Sequence, residues 1–77
     1  LHTAELKNIK VSAYSGYKAN ERPIFFILDG RKYIVTEILE RWYEEDGYYF
    51  KIVADDQCTY KLKWNSIQDL WYIILGV

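Results

Sequence analysis

The chain has 77 residues, with ten Lys and Arg, eleven Asp and Glu, one His and one Cys, and its formal net charge is −1. This length accommodates one compact domain over residues 1–77, and the single cysteine excludes an internal disulfide. One His and one Cys do not provide the four ligands of a structural zinc site, and a balanced charge excludes a general attraction to nucleic acid or anionic lipid. We therefore expect no metal and no cofactor.

The first predicted element is a strand near the amino end. Ile9, Val11 and Ala13 alternate with other residues at period two, as they do in a strand with one buried face. Residues 15–23 follow without apolar periodicity and contain a glycine, an asparagine and the one proline of the chain. They predict a loop, the longest in the protein.

A tight hairpin is predicted around Asp29 and Gly30. These residues lie between the apolar segments 24–28 and 33–35. An Asp-Gly pair readily takes the positive φ angles of a type I′ turn, which joins two antiparallel strands. The two apolar segments therefore predict a pair of neighbouring strands.

Residues 33–45 fit two structures. Their apolar side chains recur at steps of about four residues, as on one face of an amphipathic helix. The preceding Asp-Gly turn, the lack of a residue that caps a helix, and the β-branched and aromatic residues at the start favour a strand. We predict a bent strand in which a β-bulge near Thr36 and Glu37 keeps Val35, Ile38 and Trp42 pointing inward.

The last part of the chain predicts a hairpin and a closing strand. Residues 48–55 and 59–64 each alternate at period two, and a short polar turn joins them. Residues 67–75 are nearly all apolar and predict the final strand. About six strands in sequence order predict an all-β fold, a single small antiparallel meander that forms a curled sheet or an SH3-like barrel.

Six sequence features follow one another along the chain. They are an aromatic strand, a Gly-Arg pair, a Tyr-x-Val motif, two apolar residues before a Trp, an alternating hairpin and a closing strand that contains a Trp. The residues of this pattern are Phe26, Gly30, Arg31, Tyr33, Val35, Ile38, Leu39, Trp42, Tyr60, Leu62 and Trp71. Over residues 14–75 the pattern resembles a small prokaryotic domain of unknown function. Some relatives of that domain are encoded near polymerase-like proteins of DNA damage tolerance, so the resemblance implies a role around nucleic-acid machinery.

The residues do not predict catalysis. A nucleophilic site needs a Ser or Cys held against a base, and the one histidine is His2, close to the amino end. The four glycines stand in separate places, so no phosphate-binding loop is predicted. The acidic clusters at 44–46 and 55–56 are typical of solvated turns. We expect a protein that is not an enzyme.

Cationic and aromatic residues form the first candidate binding surface. Small barrels bind single-stranded nucleic acid through rings that stack on bases beside cations that hold phosphates. The alternative is that lysines at alternate strand positions solvate the outer face and protect a sheet edge. The candidate residues are Tyr14, Tyr17, Arg22, Arg31, Lys51, Lys61 and Lys63.

Apolar side chains opposite the predicted core form the second candidate surface. A strand that is apolar on both faces needs cover from barrel closure, from a second copy of the chain or from another protein. We predict a protein partner or a homodimer as the main function, with nucleic-acid contact as the alternative. A lone thiol without a recognisable signal peptide predicts the cytoplasm, and no apolar run approaches the roughly 18 residues of a membrane helix. The candidate interface residues are Phe25, Ile27, Tyr72 and Ile74.

Overall fold

The computed structural model describes residues 5–14 and 22–75, with Tyr14 described by its backbone alone. The described residues form six antiparallel strands that pair in chain order, and the last strand pairs back with the first to close a barrel. The predicted all-β meander barrel is confirmed. The strands are β1 (Glu5–Tyr14), β2 (Arg22–Leu28), β3 (Arg31–Glu44), β4 (Gly47–Ala54), β5 (Thr59–Asn65) and β6 (Leu70–Leu75).

Two of the hairpin turns depend on backbone conformations that favour glycine. Asp29 and Gly30 have φ angles of 52° and 81°, the positive values that the predicted tight turn between β2 and β3 requires. Gly47 begins β4 with a φ of 149°, and a Cβ atom at this position would lie 2.6 Å from the backbone oxygen of Trp64. The β3–β4 turn needs glycine because β5 passes too close for a side chain.

An aspartate side chain holds the turn between β4 and β5. Asp56 accepts a hydrogen bond from the backbone N–H of Cys58 at 3.0 Å and another from the hydroxyl of Tyr60 at 2.5 Å. The bond from Tyr60, followed by that from the Cys58 backbone, lowers the pKa of Asp56 below its ordinary value. The same bond raises the pKa of the Tyr60 hydroxyl. The turn is therefore tied to the strand that follows it.

The turn between β5 and β6 differs from the prediction. The side-chain oxygen of Asn65 accepts hydrogen bonds from the backbone N–H groups of Ile67 and Gln68, each at 3.0 Å. An asparagine that binds backbone groups two and three residues later stabilises a turn. The prediction that the last strand begins at residue 67 was wrong, because β6 begins at Leu70 and Ile67 is 94% exposed.

The core fills the inside of the barrel with side chains at alternate strand positions. Two tyrosine rings, of Tyr33 and Tyr60, pack on the buried ring of Phe26 with centroids at 5.1 and 5.5 Å. Such ring pairs stabilise a core beyond their buried area alone. The largest fully buried side chains are Phe26, Phe50, Ile52, Leu62 and Ile73.

The ambiguous segment 33–45 belongs to a strand, as predicted. The register of β3 against β4 shifts twice, once between Val35 and Glu37 and once between Ile38 and Glu40. The first shift lies where the bulge was predicted. The second, at Leu39, was not predicted, and it reverses the side on which later residues lie. The prediction that Trp42 points inward was therefore wrong, and its ring stacks on that of Tyr49 on the outer face.

Candidate functional site

The pairing of β3 changes partner in the middle of the strand. Among the described residues, β3 pairs with β2 from Arg31 to Ile34 and with β4 from Val35 onwards. At the start of β2, Arg22 and Pro23 pair with β1 on the other side. Residues 22–24 of β2 and 35–41 of β3 are thus two strand edges that face each other without a ladder between them. We call these two segments the seam.

The seam encloses a surface groove. The groove has a volume of about 590 Å³ and is lined by residues 22–24 and 35–41. The seven residues of β3 provide roughly 20 Å of strand edge at about 3.3 Å per residue. This is enough edge to pair with a short extended chain.

Apolar side chains surround the seam on the solvent side. Ile24 is 43% exposed, Ile34 is 45% exposed and Leu39 is 44% exposed. Ile24 and Leu39 lie at the places where the strand registers shift, so neither is directed into the core. The residues that the sequence analysis missed here are Ile24, Leu39 and Arg41. Pro23 was an available signal, because proline within a sheet is confined to edges and bulges.

Two arginines and two glutamates give the seam its charge. Glu37 and Glu40 lie opposite Val53 and Lys51 of β4, at register positions on the outer face. Arg41 lies opposite the buried ring of Phe50, and its guanidinium carbon is 5.8 Å from the centroid of that ring. The fourth charged residue is the exposed Arg22. The negative charges therefore lie on the outer rim, and the Arg41 charge lies on the inward-facing line.

The predicted cationic and aromatic residues do not form one surface. Arg22 begins β2, and Arg31 pairs with Leu28 at the other end of that strand, roughly 20 Å away by strand length. Arg31 lies 4.8 Å above the ring of Tyr33. The side chain of Tyr14 and the whole of Tyr17 lie outside the described residues.

The three predicted lysines lie together on the outer face of β4 and β5 but differ in their partners. Lys51 and Lys61 are directly opposite each other, and Lys63 is opposite Tyr49. Lys63 is only 8% exposed, and its ammonium group donates to Asp46 at 2.8 Å. Lys63 is thus a structural residue, whereas Lys51 and Lys61 form no ion pair within 5–14 and 22–75.

Asp46 is the acceptor that fixes Lys63 at the β3–β4 turn. Its two carboxylate oxygens also accept the hydroxyl of Tyr49, at 2.9 and 3.0 Å. The hydrogen bond from Lys63, and then that from Tyr49, lower the pKa of Asp46. The hydrogen bond to Asp46 raises the pKa of Lys63. The ion pair between Asp46 and Lys63 therefore stabilises this turn, in addition to the backbone conformation that Gly47 allows.

The predicted interface residues lie outside the core, as expected, but on two separate strands. Phe25 and Ile27 are half-buried on β2, and Tyr72 and Ile74 are half-buried on β6. β1 lies between β2 and β6. The outer residues of β1 that are opposite Tyr72, Ile27 and Phe25 are polar, namely Asn8, Lys10 and Ser12. The four apolar side chains therefore form two small patches, and the ammonium group of Lys32 lies 4.2 Å from the Phe25 ring.

A row of rings crosses the side of the barrel that runs from the carboxyl-terminal half of β3 through β4 and β5 to β6, which we call the closed side. Tyr43, Tyr48, Trp64 and Trp71 are successive cross-strand neighbours from β3 to β6. Their ring centroids are 4.8, 5.4 and 5.9 Å apart in that order. The indole N–H of Trp64 donates to Asp69 at 3.0 Å. Cross-strand aromatic pairs stabilise a sheet, so this row gives four of the fourteen rings a structural role.

Comparison of the chain with known protein families, with curated proteins and with solved structures gave no significant match. The resemblance to a small prokaryotic domain stays a prediction. Within the described part of the chain, no three His, Cys, Asp or Glu side chains are grouped so that they would hold a metal ion. No helix among these residues has the length and apolar character needed to cross a membrane.

Proposed function

We propose that the protein is a non-catalytic interaction domain that binds an extended segment of a partner protein at the seam, by adding that segment as a strand. The observation that supports this proposal is the change of partner in β3. Its edge from residue 35 to 41, and the edge of β2 at residues 22–24, have no ladder partner among the described residues.

A strand edge is a template for another chain. Its unpaired N–H and C=O groups pair with the backbone of an added strand, while side-chain contacts at alternate positions provide specificity. The exposed Ile24, Ile34 and Leu39 lie beside these edges, where they contact the side chains of an added strand. Backbone pairing and apolar contact thus coincide at one place on the barrel.

Peptide selection tests the proposal. A display library of random linear peptides of about twelve residues is selected against the wild-type protein, and the dissociation constants of enriched peptides are measured by calorimetry. The variant Leu39→Glu places a charge on the wall of the seam and is expected to weaken binding at least roughly tenfold. The matched control is Leu6→Glu, because Leu6 is similarly exposed, at 49%, on β1 and opposite Ile74. This control is expected to bind as the wild type does.

Three outcomes contradict the proposal. The first is that no peptide is enriched, and the second is that Leu6→Glu and Leu39→Glu affect binding equally. The third is a wild-type protein that is dimeric by light scattering and becomes monomeric in Leu39→Glu alone, since the seam would then bind a second copy of the chain. Equal melting temperatures of the two variants establish that both are folded.

Nucleic-acid binding is the second candidate function. Like charges directly opposite on neighbouring strands destabilise a sheet, yet Lys51 and Lys61 occupy such a pair beside the stacked rings of Trp42 and Tyr49. Bases that stack on these rings and phosphates that contact the lysines would compensate for this repulsion. The net charge of −1 and the engagement of Lys63 by Asp46 make this the weaker candidate. A fluorescent single-stranded oligonucleotide is expected to show no binding at low salt, and binding that weakens steeply with salt would favour this second function.

A further inference from the structure

Arg41 occupies a register position where the other strands carry core residues. It lies directly opposite Phe50, which lies opposite Leu62 on β5, and both of these side chains are fully buried. The core would normally exclude a charge from this line of the barrel, because a buried charge requires a partner. Arg41 is nevertheless exposed, and it lines the groove of the seam, where β2 does not pair with β3.

The charge of Arg41 has no carboxylate partner among the described residues. The two ion pairs found there join Lys7 to Asp29 and Lys63 to Asp46. The glutamates nearest in sequence, Glu40 and Glu44, lie opposite Lys51 and Gly47 of β4 at outward positions, and Glu44 accepts the indole N–H of Trp42 at 2.9 Å. The guanidinium instead lies over the face of the Phe50 ring, at 5.8 Å from its centroid. A ring face beneath the guanidinium leaves the N–H donors at its edge available to a ligand.

We infer that the strand bound at the seam presents a carboxylate, from an Asp or Glu side chain or from a chain terminus, that pairs with Arg41. This inference rests on the proposed function. The planar fork of arginine matches the two oxygens of a carboxylate, and such bidentate pairs are both strong and directional. Arg22 on the opposite wall adds a second positive charge to the same groove.

A polypeptide carboxylate fits the seam better than a nucleic-acid backbone does. The four charged residues that line the groove, Arg22, Glu37, Glu40 and Arg41, sum to zero. A chain of phosphates requires several clustered cations and would be repelled by the two rim glutamates. One carboxylate on an otherwise neutral strand meets one arginine without that repulsion.

The test uses the peptides selected for the proposed function and the full chain. Arg41→Gln is compared with Arg31→Gln, a matched control because Arg31 also lies over an aromatic ring but at the other end of β2. We expect Arg41→Gln to weaken peptide binding roughly tenfold or more, since a hydrogen bond to a charged group is worth about 1.5–3 kcal/mol. Arg31→Gln is expected to leave the dissociation constant within about twofold.

A second comparison changes the peptide. Each Asp and Glu of a selected peptide is replaced singly by Asn or Gln, and its carboxyl terminus is amidated. One of these changes is expected to weaken binding to the wild type as much as Arg41→Gln does, and to have no further effect on binding to Arg41→Gln. Arg41→Lys retains the charge but not the fork, and its affinity is expected to lie between those of the wild type and Arg41→Gln.

The outcomes separate this inference from the proposed function. Peptides that bind with sensitivity to Leu39→Glu but with no response to Arg41→Gln, or with no acidic group whose removal matters, overturn the inference and leave strand addition in place. Failure to select any peptide overturns both. Binding of an oligonucleotide that is lost in Arg41→Gln also overturns the inference, because the arginine would then serve a phosphate.

Discussion

The closed side of the barrel and the seam differ in how their strands are held. β4 and β5 pair without interruption from Tyr48–Trp64 to Val53–Thr59. β2 and β3 pair over four residues only, and the register of each shifts beyond that point, against β1 and β4 respectively. One side is thus a continuous ladder, and the other is a short ladder that ends in two open edges.

Side chains reinforce the same difference. On the closed side, Asp46 binds Lys63 and Tyr49, and Asp56 binds Tyr60, so both turns are tied to neighbouring strands. At the seam, exposed apolar and charged side chains contact solvent instead. The difference predicts that stability resides on the closed side, and it agrees with the proposed role of the seam because binding regions are often the less stable parts of a fold.

The largest expected difference is in the free energy of unfolding, when a leucine is replaced by alanine on the closed side or at the seam. Leu62→Ala removes a fully buried side chain of β5 and is expected to lower the free energy of unfolding by about 2–5 kcal/mol. Leu39→Ala at the seam should change it by no more than about 0.5 kcal/mol. Urea unfolding followed by tryptophan fluorescence measures both. Similar losses in the two variants would contradict the division into scaffold and binding edge.

A pair of glycine variants tests the turns next. Gly47→Ala brings a Cβ atom against the backbone of Trp64 and is expected to cost at least about 2 kcal/mol. Gly30→Ala has the same kind of positive φ but meets nothing within 4 Å, so only the strain of about 1 kcal/mol remains. The melting temperature of Gly47→Ala should therefore lie well below that of Gly30→Ala. The reverse order would show that β5 does not constrain the β3–β4 turn.

Acid should weaken the closed side through Asp46. Its pKa in the folded protein lies below the ordinary value of 3.8, so the unfolded chain takes up the proton first as pH falls. The stabilisation from Asp46 is therefore present above pH 3.8 and is lost as pH falls through the lowered pKa. We expect Asp46→Asn to lower the melting temperature at pH 7 and to have less effect at pH 2. The control is Asp55→Asn, since Asp55 makes no side-chain hydrogen bond to a described residue. An equal pH dependence in both variants would contradict this account.

The smallest effect is expected at the opposed lysines. Lys61→Glu replaces a like-charge pair with an opposite-charge pair across β4 and β5, so the melting temperature should rise slightly at low salt. The rise should disappear at high salt because exposed charges are screened. A fall in melting temperature would contradict a net repulsion between Lys61 and Lys51 and would show that the Lys61 side chain stabilises the barrel.

The sequence predicted those parts of the fold that depend on neighbouring residues. The turn at Asp29 and Gly30 has the positive φ angles that its residue types favour, and the alternation of residues 48–55 and 59–64 corresponds to β4 and β5. The wrong predictions fall where a β-bulge or a side-chain hydrogen bond interrupts the regular alternation of inward and outward side chains. The bulge at Leu39 turned Trp42 outward, and the hydrogen bonds of Asn65 extended the turn past Ile67.

The seam could not be predicted in the same way, because it depends on where two distant strands stop pairing. The period of residues 33–45 does not tell which strand pairs with each part of β3. Pro23 was the local clue, since it lies within β2 where the strand pairs with β1 alone. The lysine cluster was predicted from alternation, but the partner of Lys63, Asp46, is seventeen residues away in the chain.

Amide hydrogen exchange, measured with and without a peptide selected at the seam, tests strand addition most directly. Peptide binding is expected to slow exchange at those amides of Arg22, Ile24 and residues 35–41 that do not face β1 or β4; Pro23 has no amide hydrogen. The amides that join β4 to β5 should exchange slowly in both states. Unchanged exchange at residues 35–41, or protection confined to the outer face of β4 and β5, would contradict the account.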